Sequence, residues 1–214
     1  MNEKNPHAKN PTRRTALRLA AAGALGAGLA AAAPAILRAD APDRRALKMQ
    51  SLNSGEKLDI VYWAGGEYIP EALKRIDWFM RDLRTGETAR MDVRLLDLLW
   101  EIDRLTPSKN PLYTMSAYRS ESTNAWLAAN SDGVDPSSFH MRGMAIDLTQ
   151  DFADPEMLYR VAKKLGRGGA GYYPLTHPFV HVDVGPPDSW VYPERGRPGR
   201  AGEYDRAEAE KRKS

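Results

Sequence analysis

The chain contains no cysteine in its 214 residues. Disulfide staples and thiolate metal ligands are therefore excluded, whatever the redox state of its compartment. Histidine is scarce too, with four in all: His7, His140, His177 and His181. A strong charge of one sign is also missing from most of the chain. The formal net charge is +3, but residues 1–39 hold six Lys or Arg against one Glu, which leaves residues 40–214 at −2. A body so close to neutral carries no electrostatic footprint for nucleic acid. Long apolar runs are absent beyond one, Leu19 to Leu37, which has no charged residue.

That single run belongs to the amino terminus. Arg13 and Arg14 stand side by side ahead of it, and Ala33-Pro34-Ala35 or Leu37-Arg38-Ala39 offers small residues for cleavage. Paired arginines before an apolar stretch mark a twin-arginine export signal. The expectation is a signal peptide over 1–39, a periplasmic or otherwise exported destination, and membrane contact only through that segment if it stays uncleaved. Its 19 residues approach a membrane span in length, but Ala, Gly and Pro34 make it weakly hydrophobic.

Residues 40–193 read as one domain, and 194–214, rich in charge and Gly, as a disordered tail that buries too little surface to offset ordering. Leu47 to Leu52 and Lys57 to Trp63 read as a hairpin around Asn53-Ser54-Gly55-Glu56. Apolar residues at helical spacing predict helices over 70–83 and 92–105. A strand at 112–117, a helix at 120–129 capped by Ser120 and a strand at 144–149 follow. Asp154 is expected to cap a helix through Leu165, with Pro155 in its first position, ahead of strands at 171–173 and 179–184. Strands and helices mix without a βαβ rhythm, so the class expected is α+β.

Two of these strands carry polar residues on one face only. Side chains alternate across a strand. Ala145 and Asp147 therefore oppose Met144, Ile146 and Leu148, and Phe179, His181 and Asp183 oppose Val180, Val182 and Val184. If the two strands pair, Asp147 and His181 approach one point. His140 lies seven residues before Asp147, and Gly143 lets the intervening turn bring it back. Two imidazoles and a carboxylate are a ligand set that zinc accepts, with a fourth position left for water. A metal so held supplies hydroxide near neutral pH and polarises a carbonyl.

Ser138-x-His140-x-x-Gly143-x-Ala145-x-Asp147, His181 and Ser116-Ala117-Tyr118-Arg119-Ser120 together resemble the zinc D-Ala-D-Ala carboxypeptidase and dipeptidase family. Gly171-Tyr172-Tyr173-Pro174 and His181-Val182-Asp183-x-Gly185 resemble its exported, murein-endopeptidase branch. The resemblance covers about residues 45–193. It implies a small, mainly antiparallel sheet flanked by helices, as in D-Ala-D-Ala peptidases and Hedgehog domains. It also implies Zn2+ bound by His140, Asp147 and His181, and peptidoglycan peptides as substrate. Arg119 would then hold a substrate carboxylate or the tetrahedral oxyanion, with an ordinary ion pair as its plainer role. Ser138 either supports a ligand or caps the turn.

Relatives of this family place an acid or a His just before the second His, where this chain has Pro178 and Phe179. Asp183 is then the expected proton acceptor, with His177 the other option. Asp183 has a competing role in orienting a ligand, and His177 in being a solvated loop residue. The expectation is an exported zinc peptidase acting on murein stem peptides or cross-links, endopeptidase favoured and the bond either D,D or L,D. The rivals are a non-catalytic, zinc-stabilised module that binds wall peptides, and a metallohydrolase of other amides.

Overall fold

The computed structural model describes residues 43–192, apart from 131–134, 153 and 175–176. The expected export segment and the charged tail lie outside the described residues. Among the described residues, no helix is long and apolar enough to cross a membrane.

The chain is α+β. Its strands are β1 (Arg44–Ser51), β2 (Lys57–Ala64), β3 (Glu67–Tyr68), β4 (Leu112–Ser116), β5 (Ala145–Thr149), β6 (Gly169–Tyr173), β7 (Phe179–Asp183) and β8 (Asp188–Val191). Its helices are α1 (Pro70–Phe79), α2 (Val93–Leu105), α3 (Glu121–Asn130) and α4 (Glu156–Leu165). The strands form one sheet in the order β3-β2-β1-β4-β5-β7-β6-β8.

The sheet is mixed, which corrects the expectation of a small, mainly antiparallel one. β1 runs parallel to β4 and β6 parallel to β8, while β5, β7 and β6 pair antiparallel. The reason lies in the connections: α1 and α2 intervene between β2 and β4, so the chain crosses back and enters beside β1 in the same direction. Apolar alternation reports which face of a strand is buried and carries no record of its direction. β3 and β8 were not anticipated, being only two and four residues long.

One face of the sheet is closed by helices. Leu47, Met49, Ile60, Ile146, Leu148, Val180 and Val182 share a core with Ile76 of α1, Leu95, Leu99 and Ile102 of α2, and Leu158 of α4. Each is the alternate residue of its strand or a 3.6-spaced residue of its helix, as burial requires. α2 is capped by Asp92, whose carboxylate accepts from the Arg94 amide at 2.9 Å.

Two helix ends depart from expectation. α1 stops at Phe79, short of Leu83. There the Asp82 carboxylate accepts from the amides of Arg84 (2.8 Å) and Ser120 (2.9 Å), and the Asp82 carbonyl from Gly86 (2.8 Å). Short-range bonding of this kind gives the backbone an alternative to continuing the helix. In α4, Pro155 occupies the cap position with no side-chain cap, and Asp154 pairs instead with Arg160 at 2.7 Å.

Candidate metal centre

The opposite face of the sheet carries a different population. β5 and β7 pair with Asp147 directly across from His181 and Ala145 across from Asp183. This is the pairing on which the convergence of the two polar faces depends. On the other side of β5, Ser116 faces Asp147 after a bulge in β4 between Thr114 and Ser116. That extra residue turns Ser116 onto the polar face while Thr114, opposite Leu148, stays on the other.

His140 arrives from a short 3-10 turn, Phe139–Arg142, just ahead of β5. Ser138 caps it, accepting from the His140 amide, which matches one of its two expected roles. The turn ends on Gly143 at φ 64°, a left-handed conformation that a side chain rarely takes. Any Cβ there would also stand 2.6 Å from the Arg90 carbonyl oxygen. Gly143 is thus what lets the chain reverse and place His140 beside Asp147.

The three side chains converge. Asp147 Oδ1 lies 2.9 Å from His181 Nδ1 and 3.3 Å from His140 Nε2, and the two ring nitrogens are 3.3 Å apart. One ligand atom from each lies within 4.8 Å of the others. His140 Nδ1 donates to the Ala117 carbonyl at 2.6 Å, so the proton sits there and Nε2 keeps its lone pair for the cluster. Trp190, from the unanticipated β8, stands 5.5 Å from the His181 ring and donates its indole N–H to Tyr173. Gly171 makes room for it, since a Cβ would fall 2.3 Å from the indole.

Arg119 is buried and fully engaged along one edge. Its Nη2 donates to Asp147 Oδ2 at 2.5 Å and its Nε to Ser116 Oγ at 2.9 Å. The ion pair expected as its plainer role is therefore present, and it turns the other oxygen of Asp147 towards the imidazoles. Asp183 is also buried, at 2% exposure. Its Oδ2 meets His181 Nε2 at 3.0 Å, while Oδ1 accepts from the amides of Gly169 (3.0 Å) and Gly185 (2.7 Å). The His181 ring thus separates Asp183 from the convergence point. His177 is exposed on the connection into β7, outside the cluster of His140, Asp147 and His181.

Charge is distributed unevenly. Burial opposes the negative charge of Asp147, but the neighbouring His140 and Arg119 and the histidine hydrogen bonds hold its carboxyl well below the usual range. Burial and the Arg119 cation push His140 down, towards the neutral imidazole a metal requires. Burial works against a charged His181, yet hydrogen bonds to Asp147 and Asp183 push it up to about 9. Burial would likewise raise Asp183, but His181 and two backbone amides bring it below the ordinary carboxylate value.

Ala117, Gly169 and Trp190 were not legible as parts of this site. Ala117 contributes only a carbonyl, Gly169 only an amide, and Trp190 lies on a strand whose neighbour could not be known.

Asp147 and His181 on paired strands, joined by His140 from the turn ahead of β5, form a donor set of the kind that metal-dependent hydrolases use. Comparison with known proteins narrows this to a family. The family model described as peptidoglycan L,D-endopeptidase MepK matches residues 39–190. The peptidoglycan L,D-endopeptidase MepK of Escherichia coli strain K12 is 34% identical over 167 residues, covering 78% of this chain and 91% of that protein. The probable peptidoglycan L,D-endopeptidase MepK of Haemophilus influenzae is 35% identical over 150 residues, covering 70% and 80%. The chain belongs to this peptidase family. No solved structure matches it.

Proposed function

We propose that the protein is an exported, zinc-dependent peptidoglycan L,D-endopeptidase, cleaving an amide in the peptide cross-links of murein. The observation that carries this is the convergence of His140 Nε2, His181 Nδ1 and Asp147 Oδ1 within a chain of this family. The donor set fits zinc: two nitrogens and one carboxylate oxygen, His140 and Asp147 buried and His181 partly so, with their outer atoms fixed by Ala117, Arg119 and Asp183. A zinc ion held there would supply an activated water and a Lewis acid for the scissile carbonyl. The L,D choice rests on the relatives' activity, and the export reading on the paired arginines and apolar run of residues 1–39. In this reading the fold is of the kind found in D-Ala-D-Ala peptidases and Hedgehog domains.

The chain's own groups then divide the work. Arg119 spends Nε on Ser116 and Nη2 on Asp147, which leaves Nη1 to meet developing negative charge on the substrate. A cavity of about 250 Å³ runs along the same segment, lined among others by Ser116, Tyr118, Arg119, Arg81, Arg84 and Asp82. Asp183 is not the proton acceptor in this reading, because the His181 ring stands between it and the point where water would be activated. With His7 in the expected export segment, His177, exposed on the connection into β7, is the histidine left to carry the proton.

Mass analysis of purified cross-linked muropeptides tests the reading, using zinc-loaded protein beside a chelated control. Cleavage at the L,D bond only in the loaded sample is expected. Equal cleavage by chelated protein overturns the metal role, and cleavage at a D,D bond overturns the assigned specificity. Pro178 and Phe179, neither of which carries protons, favour a second reading as a wall-peptide binding module. Tight muropeptide binding with no cleavage of any cross-link would establish that one instead.

A further inference from the structure

Resting on the metal site proposed above, we infer that Asp183 is a positioning residue, clamped by the amides of Gly169 and Gly185, that holds the proton of His181 on Nε2 and so presents Nδ1 to the metal. The two imidazoles of the cluster are oriented oppositely. His140 faces it with Nε2 because the Ala117 carbonyl takes its Nδ1 proton at 2.6 Å. His181 faces it with Nδ1 and gives Nε2 to Asp183 Oδ2 at 3.0 Å. A neutral imidazole has one proton and one lone pair, and the partner of one nitrogen decides which the other offers. Ala117 and Asp183 thus do the same job for opposite ring nitrogens.

Asp183 is built to stay where it is. With Oδ1 accepting two backbone amides and the residue 2% exposed, it has neither the freedom nor the solvent contact to shuttle a proton. Its enclosure accounts for the two glycines at the start of β6. A Cβ on Gly169 would lie 2.2 Å from Asp183 Oδ2, and one on Gly168 would lie 1.9 Å from the Asp183 carbonyl oxygen. Neither φ is positive, so close approach rather than backbone conformation is what requires glycine there.

Asp183→Asn distinguishes positioning from base catalysis. An amide that keeps its oxygen on the Gly169 and Gly185 N–H groups turns its NH2 towards Nε2, which favours the lone pair there and the proton on Nδ1. Loss of such a supporting contact weakens zinc binding by about 10- to 100-fold. The expected result is that weakening in a competition titration with a chromophoric chelator, with kcat largely restored at saturating zinc and its pH profile unmoved. Loss of a general base gives the reverse, unchanged zinc affinity and kcat lower by about 100- to 10,000-fold with an altered pH profile, and overturns the proposal.

Gly169→Ala displaces the carboxylate without removing it, and a smaller weakening of zinc binding is expected. Wild-type protein gives a check that needs no variant. Two-bond 15N–1H spectra of the zinc-loaded enzyme should show His181 protonated on Nε2 and His140 on Nδ1. A His181 ligated through Nε2 overturns the proposal. Wild-type protein that binds no zinc removes instead the reading on which it rests.

Discussion

The two faces of the central strands are made of the same chain and do opposite things. On the helix-covered side, Ile146, Leu148, Val180 and Val182 are wholly buried among apolar neighbours. On the other, Asp147, His181 and Asp183 are their immediate sequence neighbours, and each of their side-chain polar atoms has a specific partner. The first face is held by burial, which is non-directional and tolerates small shifts. The second is held by hydrogen bonds between charged or titratable groups, which fail if one atom is misplaced. Stability and chemistry are thereby separated by a single residue step along β5 and β7.

Substitution on either face should break this division in different ways. The largest effect is expected from His140→Ala or His181→Ala, which should reduce cross-link cleavage to background and abolish high-affinity zinc uptake. Thermal unfolding of the metal-free variants should shift far less. Parallel activity, zinc content and melting measurements test it, and retained cleavage would dissolve the distinction between the faces.

Ile146→Ala, one residue from Asp147, probes the other face. Truncating a wholly buried Ile costs about 2–5 kcal/mol of stability. Denaturant unfolding should show that loss while the folded fraction still cleaves at close to the wild-type rate. A collapse of kcat in fully folded protein would mean the faces are not independent.

A third buried carboxylate sharpens the comparison. Asp82, 3% exposed, lies off the metal site and binds Ser120 through both its amide and hydroxyl, at 2.9 and 2.7 Å. Burial would raise its pKa, but hydrogen bonds from Thr123, Ser120 and Arg84 bring it from 3.8 down to about 2. A depressed folded value means stabilisation that is complete above the unfolded pKa near 4 and lost as pH falls through about 2. Asp82→Asn should therefore cost about 2 kcal/mol at neutral pH, with the gap to wild type closing between pH 4 and 2. Urea titrations across that range check it, and a pH-independent difference would refute the electrostatic account.

The smallest effect is expected from Gly171→Ala. Its Cβ would press on Trp190 at 2.3 Å, and overpacking of this kind costs about 1–3 kcal/mol. The displaced indole lies beside His181, so tryptophan fluorescence should change together with KM. A change in stability alone would assign Trp190 to packing.

Much of the site is legible in the sequence. The motif around His140 and Asp147, with the alternation of polar residues in 144–149 and 179–184, pointed to three side chains that the structure does bring together. The hairpin, α1, α2 and the buried strands are legible because period 2 and period 3.6 are written directly in the apolar pattern, and α3 and α4 from the residues at their starts. Asp183 was misread. Nothing in His181-Val182-Asp183 tells whether the carboxylate meets water or the amides of Gly169 and Gly185, since one of those amides arrives from a neighbouring strand. Arg119 was half legible: its presence was clear, but its pairing with Asp147 depends on the β4 bulge that turns Ser116 to the same face.

Sequence by itself determined which residues are apolar, which strands have two unlike faces, and which donor types exist to hold a metal. Those properties are local, fixed by side-chain chemistry and backbone period. Tertiary structure alone decided the order and direction of the strands, the ring nitrogen each histidine offers, and the use of Asp183 as a brace. These depend on partners distant in sequence, and a hydrogen bond is set by where two atoms finally meet rather than by the residue that carries either one.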